Sequence, residues 1–177
     1  MLSPYIFLDR DGTLIEHVHH LIDPELVKLK PRLVTGLQLL KEHGFSFGII
    51  SNQSVINRGY SSKEIVDQVN ERMQELLRNE GIEFNFIKYC PHRPEELCSC
   101  RKPATGLGLQ AIGEFKIDVS RSFMIGDMDS DVIFGHAIGL RSIQLIIGEV
   151  TESSADFVAS DISEAADWIL NESRKEK

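Results

Sequence analysis

The stretch that decides the fold is residues 5–17, YIFLDRDGTLIEH. The mostly apolar run Tyr5–Leu8 leads straight into Asp9 and Asp11, with Gly12 and Thr13 behind them. A short, nearly all-apolar run fits a strand covered on both faces of a parallel sheet. In open α/β sheets, ligands bind beyond the carboxyl ends of the strands. Residues i and i+2 of an extended chain point to the same side, so both carboxylates can face one site. Gly12 lets the chain turn sharply after them. Two neighbouring carboxylates repel each other. Oxygen donors of this kind suit a hard divalent cation, which would relieve that repulsion.

Working outward, apolar runs alternate with helical patterns. Strands are expected at Tyr5–Leu8, Phe47–Ile50, Phe84–Tyr89, Phe123–Ile125 and Ser142–Ile147, with a short piece near Phe157–Val158. Helices are expected at Leu33–Glu42, Ser62–Asn79, Gly106–Phe115, Asp131–Ala137 and Ser163–Leu170. Asp161, three residues before Glu164, predicts a capping box. This alternation predicts a doubly wound α/β domain spanning residues 1–177. The polar tail ESRKEK is expected to fray.

Composition narrows the function classes. The chain has 177 residues, 42% hydrophobic and 26% charged, as in an ordinary globular protein. No stretch approaches the roughly 20 apolar residues of a membrane span. The net charge of −8 argues against nonspecific nucleic-acid binding. Three cysteines and no signal-peptide pattern predict a reducing, cytoplasmic setting.

Three further polar clusters follow expected strands. GIISNQS supplies Ser51 and Asn52, whose hydroxyl and amide donors can hold phosphate oxygens. CRKP supplies Arg101 and Lys102, and lysine is a point charge for the same group. FMIGDMDSD supplies Asp127, Asp129 and Asp131, with Asp127 suited to complete a magnesium site with Asp9.

DRDGT, SNQ, RKP and GDMDSD occur in the order of the four motifs of the haloacid dehalogenase-like phosphatases, which the chain resembles across residues 9 to 131. The resemblance implies a Rossmann-like parallel sheet. It implies that Asp9 attacks phosphorus and that Asp11 protonates the leaving oxygen, then activates water. It gives Ser51 and Lys102 the transferring phosphoryl group. It assigns magnesium to Asp9, Asp127 and the Asp11 backbone carbonyl, with Asp131 as support. An aspartate at position 11 fits an ester whose leaving oxygen needs a proton, whereas dehalogenases lack one there. Taken singly, these acidic residues also read as solvated loop caps.

A second constellation, CPHRPEELCSC at 90–100, offers Cys90, His92, Cys98 and Cys100. Four such ligands in one short window match a closed, structural tetrahedral zinc site. A disulfide from Cys90 to Cys98 or Cys100, or free thiols, are the alternatives. Zinc would stiffen the loop that carries Arg101 and Lys102.

This loop resembles those of heptose bisphosphate phosphatases and of the histidinol-phosphatase domain. SNQSVINRGY and AADWILN resemble the heptose group, implying that Arg58 reaches a second phosphate or the sugar. The short Arg93–Leu97 spacer is more like the histidinol group. The expectation is a phosphatase releasing one phosphate, at position 7, from D-glycero-D-manno-heptose 1,7-bisphosphate, on the way to lipopolysaccharide or another surface glycan. Histidinol-phosphatase is the alternative, a phosphomutase a weaker one, and a non-catalytic phosphate-binding protein the reading from another class. A monomer with no membrane or nucleic-acid partner is expected. No large cap domain is evident, so the site should be open. Arg10 is expected at the surface or on substrate. EHVHH, residues 16–20, is read as a solvated loop at the mouth of the site rather than a second metal site. Trp168 is expected to pack the last helix onto the sheet, and His43 and His136 to be exposed.

Overall fold

The computed structural model describes residues 2–146, 148 and 152–175. Six strands form one parallel sheet: β1 (Tyr5–Leu8), β2 (Ser46–Asn52), β3 (Phe86–Cys90), β4 (Phe123–Gly126), β5 (Arg141–Leu145) and β6 (Phe157–Ala159). Their order is β3-β2-β1-β4-β5-β6. The chain winds outward from β1 in one direction, then returns beside it to wind in the other. The crevice between β1 and β4 is therefore the switch point where such sheets bind ligands.

Among the described residues, five α-helices connect or follow the strands: α1 (Leu33–Glu42), α2 (Lys63–Arg78), α3 (Gly106–Phe115), α4 (Asp129–Ala137) and α5 (Ile162–Lys175). The pleat of β1 sorts the core. Ile6 and Leu8 point into a cluster with Leu37, Met73 and Ile169, from α1, α2 and α5. Tyr5 and Phe7 point into the opposite cluster with Ala111 and Phe134, from α3 and α4. Both faces are thus covered, which explains the nearly continuous apolar runs of the strands. Trp168 packs α5 onto the sheet as expected, stacked on Phe157 at 5.1 Å between ring centroids and edge-on to Phe123 at 6.1 Å.

Some boundaries differ from expectation. The polar tail does not fray at Leu170: α5 runs to Lys175, where Glu172 pairs with Arg141 and Lys175, and Ser173 Oγ donates to the Ile169 carbonyl at 2.8 Å. The capping box is shifted. Asp161 accepts from the Glu164 amide at 2.9 Å, but Glu164 reaches back to the Ser160 amide. β3 starts at Phe86 rather than Phe84, and α4 starts at Asp129, its first turn capped by the Asp131 carboxylate on the Met128 amide. Ile147, expected in the fifth strand, lies outside the described residues.

After Asp11 the chain doubles back. Ile15 bridges Leu29 antiparallel, and the Glu16 and Lys30 amides donate to the Lys28 and Leu14 carbonyls. Buried Leu14 and Ile15 anchor this flap to the core. It lies at the carboxyl end of β1, directly after Asp11.

Helix α1 approaches α5 closely at Gly36. A methyl group there would meet the Ile162 backbone carbon at 2.7 Å and the Ser163 nitrogen at 2.8 Å. Helix propensity alone would make Gly36→Ala stabilising by about 1 kcal/mol. Backbone cannot move aside as a flexible side chain can, so overpacking of about 1–3 kcal/mol should win. We expect Gly36→Ala to lower the urea midpoint of unfolding, and a raised midpoint would contradict this packing.

Candidate active site

Asp9 follows β1, its amide bonded to the Ile125 carbonyl of β4 at 3.0 Å. Asp127 follows β4, and Asp131 lies in the first turn of α4. Strand register therefore brings three acidic side chains together, with candidate ligand atoms all within 4.8 Å of one another. One cation lies among them. The Lys102 ammonium, 3% exposed as a residue, donates to Asp9 Oδ1 at 2.6 Å and to the Ile50 carbonyl at 2.6 Å. It also contacts Asp131 Oδ1 at 2.7 Å. All three N–H donors of the lysine are thereby used.

The electrostatics of this cluster are unbalanced. Burial pushes the Asp9 carboxyl up, Lys102 pulls it down, Asp131 and Asp11 push it up again, and the net position is about 7. Burial and then the nearby Asp131 charge push Asp127 up to about 6. Burial would lower Lys102, but its two carboxylate partners outweigh that and hold it above its ordinary value. Asp127 Oδ1 is buried and has no hydrogen-bond partner. Three hard carboxylate donors, one of them carrying an orphaned oxygen, against a single ammonium make a donor set suited to a divalent cation.

Gly12 makes this geometry possible. Its φ of +84° is left-handed, and a Cβ there would lie 2.2 Å from Asp127 Oδ2. Any side chain at position 12 would displace Asp127.

Asp11 has different company. It accepts from Arg10 Nε at 3.0 Å, Arg10 Nη2 at 3.1 Å and Gln53 Nε2 at 2.7 Å. Arg10 is neither a surface residue nor free for substrate. It is 1% exposed, and its guanidinium is shared among Asp11, Asn70 of α2 and Gln53. A buried guanidinium needs such partners to offset lost hydration. Gln53 and Asn70 were missed in the sequence. The usable signal for Gln53 was its i+2 spacing from Ser51, which puts both side chains on one side of an extended segment.

Ser51 is buried at the end of β2, its hydroxyl 3.3 Å from Gln53 Nε2. Asn52, expected among the phosphate-binding residues, braces Lys102: its Oδ1 accepts from the Lys102 amide at 3.0 Å and its Nδ2 donates to the Lys102 carbonyl at 3.1 Å. Arg101 is half-buried and donates to the His92 carbonyl at 3.1 Å. Arg58 is not drawn into the acidic cluster. It is exposed, with Nε 3.3 Å from Ser54 Oγ.

The second constellation converges as well. Cys90 Sγ lies 3.0 Å from Cys100 Sγ and 3.5 Å from Cys98 Sγ, while His92 Nδ1 lies 3.1 Å from Cys100 Sγ and 3.4 Å from Cys90 Sγ. None of these cysteines is in a disulfide. Bonds of about 2.3 Å to sulfur and 2.0–2.1 Å to nitrogen put the edges of a three-sulfur, one-nitrogen tetrahedron at roughly 3.5–3.8 Å, so these four groups need only spread slightly to hold an ion. The site lies at the end of β3 and in the loop leading to Lys102, so it tethers that loop to the sheet.

Residues 99–168 match the HAD-hydrolase-like family model. The chain is 35% identical over 166 residues to the D-glycero-beta-D-manno-heptose-1,7-bisphosphate 7-phosphatase of Helicobacter pylori, covering 93% of this chain and 95% of that protein. The chain belongs to the haloacid dehalogenase-like phosphatases. Within them it is also 37% identical over 147 residues to the histidine biosynthesis bifunctional protein HisB of Actinobacillus pleuropneumoniae, but spans 40% of that protein. Among solved structures, the D,D-heptose 1,7-bisphosphate phosphatase from B. bronchiseptica complexed with magnesium and phosphate shares the fold. Its TM-score is 0.85 at 22% identity, over 96% of this chain and 99% of that one. The haloacid dehalogenase-like fold with a parallel sheet is thus established. Among the described residues, no helix is long and apolar enough to cross a membrane.

The raised carboxyls carry a testable sign. A carboxyl with a higher pKa in the folded state binds more protons folded than unfolded, so stability falls as pH rises. In chelator, the stability contributed by these two carboxyls should be fully present below the ordinary carboxyl range and be lost as pH rises through about 6 to 7. Thermal melts from pH 5 to 8 should show a shallower decline for Asp9→Asn. Equal slopes would mean that Asp9 titrates normally.

Proposed function

We propose that the chain is a magnesium-dependent phosphatase that removes the 7-phosphate of D-glycero-D-manno-heptose 1,7-bisphosphate. The observation that carries the chemistry is the shared Lys102 ammonium between Asp9 and Asp131. It fixes the orientation of the nucleophile and offsets charge where an anionic carboxylate must approach an anionic ester. Phosphoryl transfer asks mainly for such positioning and charge stabilisation.

In the first step an Asp9 oxygen bonds to phosphorus as the ester P–O bond breaks, and Asp11 delivers a proton to the departing sugar oxygen. In the second, water attacks the aspartyl-phosphate, gives its proton to Asp11, and releases phosphate and free Asp9. Arg10 and Gln53, donating three hydrogen bonds to Asp11, fix where its carboxyl stands for both proton transfers. Ser51 and Lys102 hold the phosphoryl oxygens, and Arg101 adds positive charge at the rim. Asn52 is a positioning residue for Lys102. Magnesium, held by Asp9, Asp127 and the Asp11 carbonyl with Asp131 in support, would neutralise the charge that Lys102 alone leaves uncompensated. Cys90, His92, Cys98 and Cys100 would hold a structural zinc. The reading includes a monomeric, cytoplasmic enzyme; among the described residues, no helix is long and apolar enough to cross a membrane.

Histidinol-phosphatase is the second reading, favoured by the short Arg93–Leu97 spacer and the HisB similarity. The heptose reading is supported by a relative matched along nearly its whole length. Phosphate release from both substrates decides between them. Higher kcat/KM for histidinol phosphate would overturn the heptose assignment.

Asp9→Asn should reduce turnover by at least about 10³-fold, since it removes the group that attacks phosphorus. Normal turnover in that variant would exclude the covalent mechanism. Cys98→Ser should lose zinc by elemental analysis, lower the melting temperature, and reduce kcat through the displaced Lys102 loop. Protein purified without chelator and lacking zinc would contradict the assignment.

A further inference from the structure

Helix α2 carries a polar residue on the wrong face. Its buried side presents Val66, Val69, Met73 and Leu77 and, among them, Asn70. Asn70 is 5% exposed. An amide set among apolar side chains costs free energy unless it is hydrogen-bonded. The partner of Asn70 is not on its own helix. Its Oδ1 accepts from Arg10 Nη1 at 2.8 Å, sixty residues away in the chain.

From Arg10 the direction of each hydrogen bond is forced on the next group. A guanidinium only donates, so every atom facing it must be an acceptor. Arg10 Nη2 donates to Gln53 Oε1 at 2.8 Å, which fixes the orientation of that amide. Gln53 Nε2 is thereby turned toward Asp11 Oδ2, at 2.7 Å, and Ser51 Oγ, at 3.3 Å. Arg10 also holds Asp11 directly, Nε on Oδ2 at 3.0 Å and Nη2 on Oδ1 at 3.1 Å. The chain of contacts runs from the hydrophobic core, through Asn70 and Arg10, to both oxygens of Asp11. Its anchored end is α2, seated by its buried apolar side chains.

We propose that Asn70 is a positioning residue for proton transfer: by holding Arg10 it sets, directly and through Gln53, where Asp11 presents its proton to the leaving oxygen. The inference rests on the phosphatase reading and extends it to a helix that lends no group to the substrate. Without the Asn70 oxygen, Arg10 Nη1 loses its buried acceptor and the guanidinium is free to turn. Asp11 then loses the aim on which its proton transfer depends. The Ser51 hydroxyl, oriented by the same Gln53 amide, meets the phosphoryl group of every ester, so its share of the loss is common to all substrates.

The test compares kcat/KM for an alkyl phosphate and for p-nitrophenyl phosphate in the magnesium-loaded protein. An alkyl oxygen needs a proton to leave and p-nitrophenolate does not, so only the alkyl ester reports on Asp11 as an acid. Heptose 1,7-bisphosphate and histidinol phosphate are both alkyl esters, and whichever wild type turns over faster serves. Asn70→Leu, similar in size but without the acceptor, should lower kcat/KM for that ester about tenfold or more beyond its loss with p-nitrophenyl phosphate, the size of one hydrogen bond to a charged group. The loss should fall on kcat rather than KM. Asn70→Asp keeps an oxygen toward Arg10 and should stay within about threefold of wild type on both esters. Asn70→Ala, favourable to the helix, carries the same comparison if the leucine variant does not fold. Equal losses on both esters in a folded variant, no loss at all, or a selective loss that Asn70→Asp shares would overturn the positioning role and leave the phosphatase reading standing. Normal turnover of both esters by Asp9→Asn would instead remove the covalent mechanism on which the inference rests.

Discussion

The structure depends on one buried ammonium. Lys102 is reached late in the chain, from a loop beyond β3, yet its nitrogen contacts Asp9 after β1, Asp131 in α4 and the Ile50 carbonyl of β2. Those three elements surround the switch point of the sheet. Without that charge, Asp9 and Asp131 would be buried carboxylates with no cation in contact, an arrangement costly in a low-dielectric interior. The Asn52 clamp and the Cys/His loop both act on the Lys102 backbone, from β2 and from β3. The loop thus influences the site by fixing where Lys102 emerges.

Much of this arrangement was legible in the sequence because parallel sheets write themselves as short apolar runs, and because reactive residues cluster at their ends. Asp9, Lys102, Asp127 and Asp131 were found at strand ends and helix starts, and the structure brings them together. The four Cys and His side chains that converge in the loop were found because they share one short window. What sequence did not disclose were side-chain directions fixed by tertiary contacts. Arg10 sits between two aspartates in sequence and looks available to substrate, but Asn70, sixty residues away, completes a buried network around it. Asn52 has the chemistry to hold phosphate, but the path of the Lys102 backbone recruits its amide. The length of α5 was underestimated because its last turn is polar, and ion pairs with Arg141 and within the helix sustain it.

Asp11 shows how two similar residues acquire different duties. It lies two positions from Asp9, but Asp9 faces the ammonium and the other carboxylates, while Asp11 faces a guanidinium and an amide. In the proposed mechanism one carboxylate attacks and the other carries the proton. The difference arises from which helix each side chain meets, since Arg10 is anchored to α2 and Lys102 to α4.

The flap has a consequence for how such a protein can change. Its bridge between Ile15 and Leu29 and its buried Leu14 secure it to the core, while its tip carries the exposed His17 and His19. Anchoring and display are therefore separate parts of one short segment. Substitutions at the tip can alter what the mouth of the site presents while leaving the buried anchor and the carboxylate cluster untouched. A scaffold divided in this way can diversify its diet through few mutations, each with little penalty in stability.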